Sequence, residues 1–133
     1  MRRLRFPLFP YSIRWLGVLG IAGVLVYFSL LTTVSAPPGQ GPLWDKKLHL
    51  AGYAALGLSL IYATATSQEN PTHRALLAVG AAVAFGVIIE ILQAPLPARY
   101  FSTADMLANT LGALLASGWI VVETRIEYVD LTR

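Results

Sequence analysis

The 133-residue chain has room for a single domain, yet 56% of its residues are hydrophobic, only 13% are charged and its mean hydropathy is +0.60. That leaves too little polar surface for a water-soluble domain of this size. The formal charge of +3 gathers at the N-terminus and in short connectors rather than on an aromatic-interleaved face, which argues against nucleic acid; the absence of cysteine excludes disulfides, thiolate metal sites and a cysteine nucleophile.

Four apolar runs follow one another. No charge occurs between Trp15 and Trp44, and Leu16 to Val34 matches the ~20 residues that cross a hydrocarbon core. A secretory signal ending at Val34-Ser35-Ala36 would also explain this run, but its length and the Pro37-Pro38 pair directly after it favour a retained span. The second run, Leu50 to Ala65, gains spanning length from Leu48 and His49. The third, Ala75 to Leu92, carries Glu90 near its end and is stopped by Pro95 and Pro97, which cannot donate a backbone hydrogen bond. The fourth, Ala104 to Val122, opens with Ser102-Thr103-Ala104-Asp105, which reads as a capping box. The expected fold is an all-α polytopic membrane bundle of about four helices, spanning about 14–34, 48–66, 75–93 and 104–122, in one domain over 1–133. A connector between the third and fourth helices lies on the outer side, and the acidic tail with Glu123, Glu127 and Asp130 is expected to be solvated.

Basic residues orient the chain. With the N-terminus in the cytoplasm, the inner side holds Arg2, Arg3, Arg5, Arg14, Arg74, Arg125 and Arg133, against Lys46, Lys47 and Arg99 outside. Both termini of a multi-pass cell-membrane protein are therefore expected in the cytoplasm.

This topology brings polar residues from three helices to one depth on the outer side: Asp45, Lys46 and His49, then Glu90 and Gln93, then Asp105 and Asn109. Ionisable groups inside a membrane are costly and usually face a bundle interior or a wet cavity. Helical phase points the same way. Asp45, His49, Tyr53 and Gly57 form one stripe, Ala78, Ala82, Gly86 and Glu90 another, and Asp105, Asn109, Gly112 and Ala116 a third, so each polar stripe continues as small residues suited to close helix approach. Arg99, in the outer connector, is expected to pair with Glu90 or Asp105.

Plainer readings stand beside this one. Asp105 serves a capping box and Asp45 an N-cap; Glu90 and Arg99 make a structural ion pair; His49 is a polar core residue bonded to a carboxylate, and a lone histidine with scattered acids is weak evidence for a metal. Tyr53 fits an interfacial aromatic belt, as do Trp15, Trp44 and Tyr100, and His73 is solvated. None of them explains why so many polar residues meet on the outer side alone.

Two blocks carry a family resemblance: Asp45-Lys46-x-x-His49-x-x-x-Tyr53 with Gly57, and Glu90-x-x-Gln93, Pro97-x-Arg99, Ser102, Asp105 and Ala108-Asn109-x-x-Gly112. They resemble the VanZ-like membrane proteins over residues 45 to about 116, with Ala116 where the family often has glycine. The resemblance implies a small multi-helix membrane protein whose activity is undefined. Three functions are open. The outer pocket binds an envelope lipid, a lipid-linked precursor or a glycopeptide, with Arg99 and Lys46 on anionic head groups; or the chain is a membrane enzyme using His49 with Glu90 or Asp105 as acid and base, Ser102 lying in the block with no motif that would activate it; or it is a structural subunit. No cofactor or metal is expected, and the bilayer is the expected partner.

Overall fold

The computed structural model describes residues 3–131; the inner-side charges at Arg2 and Arg133 lie outside them. In chain order the elements are β1 (Leu4–Leu8), α1 (Tyr11–Val26), which continues as a π-helical turn over Tyr27–Leu31, α2 (Trp44–Ala63), α3 (Pro71–Gln93), α4 (Thr103–Ser117), α5 (Trp119–Glu123) and β2 (Ile126–Asp130).

Local chemistry sets the boundaries. Asn70 caps α3 by accepting from Thr72 N at 2.8 Å, and Pro71 occupies the first turn, where its missing N–H costs nothing. Ser102 caps α4 by accepting from Asp105 N at 3.1 Å. Between α1 and α2 the chain turns at Gly39, whose φ of +83° lies in the left-handed region open to glycine.

Three helical stretches are long and apolar enough to cross a membrane: Tyr11–Leu31, Pro71–Gln93 and Thr103–Glu123, the last joining α4 and α5. They coincide with the first, third and fourth expected spans. The second falls in α2, whose 20 residues would cover about 30 Å. Asp45, Lys46 and Lys47 in its first turns make it the most polar of the four.

The outer surface of the bundle is apolar, and its core of small and aliphatic residues, Leu56, Ile61, Ala82 and Ala113 among them, also takes in buried polar side chains. Leu76 is 66% exposed, Leu115 64% and Ile91 58%, whereas Glu90 is 0% and Asn109 2% exposed. Small residues permit this packing. A Cβ at Gly57 would stand 2.7 Å from Ala116 Cβ, and one at Gly112 would run into Leu50 O, so α2 and α4 touch nearly backbone to backbone. On α3, Ala78, Ala82, Gly86 and Glu90 are all buried, as their common stripe requires.

The strands correct the all-α expectation. β1 and β2 pair in parallel, Leu4 opposite Ile126 through Leu8 opposite Asp130, with the helices as the crossover between them. The acidic tail is correspondingly not simply solvated: Ile126 is buried, and Glu123 lies 8% exposed against Arg74. Five-residue strands with mixed polarity give little period-2 signal, which hid them beside four strongly apolar runs. The ribbon marks one end of the bundle, called here the ribbon end; the opposite end is the distal end.

Candidate functional site

At the distal end α2, α3 and α4 deliver a connected polar cluster. Lys46 Nζ lies 2.5 Å from both Asp45 Oδ2 and Asp105 Oδ1. Burial disfavours the Lys46 charge, but the two carboxylates outweigh it and raise its pKa above the ordinary value; in the same way Lys46 outweighs burial at Asp45 and lowers that carboxyl. One turn further along α2, His49 Nδ1 is 2.8 Å from Asn109 Oδ1, and its Nε2 is 3.8 Å from Asp105 Oδ2. Because the amide oxygen only accepts, this bond places a proton on Nδ1 and turns Nε2 towards Asp105.

Glu90 is joined to this group through the α4 N-cap. Its Oε2 accepts from Ser102 N at 3.0 Å, while Ser102 Oγ accepts from Asp105 N. In a complete capping box the residue in the Asp105 position would take Ser102 N itself. Here Glu90 takes that bond, which frees the Asp105 carboxylate for Lys46. Deeper in, Gly86 opens the space: a Cβ there would stand 3.0 Å from the Tyr53 ring and 3.1 Å from Asn109 Nδ2. Glu90 Oε1, Tyr53 Oη and Asn109 Nδ2 are all buried and have no hydrogen-bond partner. Such groups are costly to leave unmet, and each calls for an explanation.

Two of the expected members go elsewhere. Arg99 pairs with neither Glu90 nor Asp105: its Nη2 donates to Phe28 O at 3.0 Å and to Thr32 O. Gln93 Nε2 donates to Ser29 O at 2.9 Å. The π turn ending α1 leaves carbonyls without helical partners, and these two side chains satisfy them. Helix 1, which has no charged residue at this end, thus contributes through its backbone, something a reading of side-chain types could not find. Asp45 also differs from expectation, sitting in the first turn of α2 while Leu43 holds the N-cap position. Tyr53, 1% exposed, is a core residue rather than a belt residue.

Between α1 and α2 lies a cavity of about 450 Å³. Val24, Leu25, Phe28, Leu48, Ala51 and Gly52 make its apolar wall, and Ser29, Trp44, Asp45, His49 and Arg99 its polar rim. His49 therefore faces two ways, towards Asn109 and Asp105 in the cluster and towards this open space.

The ribbon end holds a second network that sequence reasoning missed. Arg14, 6% exposed, donates to Ala63 O at 2.8 Å and to Tyr62 O and Thr66 Oγ1. Arg74, 7% exposed, donates to Ile61 O at 2.7 Å and forms an ion pair with Glu123 at 3.2 Å. Tyr128 donates to Glu123 and accepts from Trp119 Nε1. Two arginines thus close the α2 C-terminus, which has no basic residue of its own in its last turn. The available signal was the place of Arg14 and Arg74 in the first turns of α1 and α3, level with that terminus. His73 remains exposed and bonds Glu69 one turn away.

An apolar-surfaced helix bundle with buried polar networks at its two ends, three of its helical stretches long and apolar enough to cross a bilayer, defines a helical membrane protein. The chain belongs to the VanZ/LLP1 family: the family model matches residues 23–123, which is 101 of the 133 residues. That range holds the whole distal cluster and the π turn. No curated protein and no solved structure matches the chain.

Proposed function

We propose that this VanZ/LLP1 protein crosses the cell membrane four times with both termini in the cytoplasm, and that its distal cavity faces outward and binds an amphiphile of the envelope, a lipid or a lipid-linked precursor. The observation that carries the binding reading is the cavity itself, an apolar wall between α1 and α2 beneath a rim of Asp45, His49 and Arg99. Ligand sites are concave, mostly apolar and fixed by a few polar groups, and an acyl or isoprenoid chain suits such a cleft better than a bulky glycopeptide.

Support for four crossings comes from the ribbon. Pairing of β1 with β2 holds the two chain ends together, and only an even number of crossings returns a chain to the side it left. The basic residues then favour the cytoplasm for that side. Cysteines at Gly41 and Ala98 should react with an impermeant thiol reagent in intact cells and one at Thr72 should not; the reverse pattern would turn the protein over. For binding, Ala51→Trp, which fills the cavity without touching the polar cluster, should strip co-purified lipid from the folded protein in mild detergent. Unchanged lipid content, measured by mass spectrometry, would refute the cavity as the site.

A further inference from the structure

The rim presents both signs of charge. Asp45 stands on one side with its side chain 53% exposed, and Arg99 lines the same cavity. Lys46, expected to meet anionic head groups, is instead held between Asp45 and Asp105 and does not line it. The anion-binding capacity at the rim therefore falls to Arg99. Only its Nη2 is spent on the helix 1 carbonyls, and its Nη1 and Nε make no hydrogen bond among the described residues. A second donor lies nearby: the Trp44 indole N–H is buried, has no partner and belongs to a residue lining the cavity.

From this pairing we infer that the ligand is a zwitterionic amphiphile, a lipid whose head group carries a phosphate together with a primary ammonium. The inference rests on the amphiphile reading above and narrows it. The phosphate meets the free edge of the Arg99 guanidinium and the Trp44 N–H, since a guanidinium presents parallel donors matched to phosphate oxygens. The ammonium meets Asp45, and His49 lines the rim beside it. The acyl chain follows Leu25, Phe28 and Ala51 along the cleft. A head group of negative charge alone would leave the Asp45 carboxylate facing it, and like-charge juxtaposition is a strong discriminator. A quaternary ammonium has no N–H to donate and would forfeit the hydrogen bond to Asp45.

The test is competitive retention. The full chain in mild detergent is mixed with equimolar phosphatidylethanolamine, phosphatidylglycerol and phosphatidylcholine, and bound lipid is read by native mass spectrometry. Phosphatidylethanolamine should be retained about tenfold over the other two, which corresponds to about 1.4 kcal/mol. Asp45→Asn should abolish that preference while total lipid stays high, and Lys46 keeps Asp105 as a partner, so the fold should persist, as circular dichroism can verify. Trp44→Phe should lower retention of all three. Equal retention of the three lipids by the unmodified chain, or a preference that survives Asp45→Asn, would overturn the zwitterion inference and leave the amphiphile reading standing. Retention no greater than that of Ala51→Trp for any lipid would overturn both.

Discussion

The two ends of α2 use polar residues in opposite ways. At the ribbon end Arg14 and Arg74 are spent on backbone: they close Ile61, Tyr62 and Ala63 carbonyls, and Glu123 meets the charge of Arg74. Apart from the two arginine Nε atoms, the network is satisfied. At the distal end side chains meet side chains, and Glu90 Oε1, Tyr53 Oη and Asn109 Nδ2 are left unmet beside a cavity. A network closed onto backbone carbonyls fixes a fold, whereas unmet side-chain groups beside a cavity are open to a further partner. The contrast separates residues that close the α2 backbone from residues that meet one another beside the cavity.

The largest expected effect tests what both ends depend on, the contact of α2 with α4. Gly112→Leu places a side chain against the α2 backbone at Leu50 and Ala54, and should abolish recovery of folded protein from membranes. Gly80→Leu, at a glycine with nothing within 4 Å, should be recovered normally. Equal recovery of the two would mean that α2 and α4 do not pack at this point.

Next comes the ribbon end. Arg74→Leu leaves Glu123 buried without its cation and α2 without a C-terminal donor, so stability should fall by about 3 to 5 kcal/mol, read as thermal unfolding in detergent. Because the effect is structural, retention of lipid per folded molecule should not change. A variant of normal stability that lost lipid would erase the distinction between the two ends.

The smallest effect sharpens the distal end. Glu90→Gln keeps an acceptor for Ser102 N and should alter stability by only about 1 kcal/mol. Combined with Asp105→Asn, the change should depart from the sum of the single changes by about 0.5 kcal/mol or more, because each carboxylate lies in the other's field. Glu90→Gln combined with Arg74→Leu should simply add. Additivity in both pairs would reduce the cluster to independent helix ends.

Much of this was legible in the amino-acid order. The apolar runs gave the helices, the four-residue spacing of Ala78, Ala82, Gly86 and Glu90 put Glu90 inside, and Ser102 was recognisable as a cap, since each rests on interactions within one helix or on periodicity along it. The Glu90 and Arg99 pair failed for a related reason. Opposite charges in adjacent segments suggest a bond, but Arg99 had a stronger claim elsewhere, on carbonyls freed by the π turn, and no residue type announces a free carbonyl.

The sequence by itself therefore determined the class of protein and the end of the bundle at which the distal cluster gathers, because hydropathy and helical phase are properties of the chain alone. Only the tertiary structure decided who bonds whom: that Glu90 takes the cap that Asp105 leaves, that Arg99 and Gln93 hold helix 1, that two arginines close α2, and that the chain ends pair as strands. Backbone donors and acceptors are the same in every residue, so which of them remains unmet, and which side chain reaches it, is fixed only when the helices are packed.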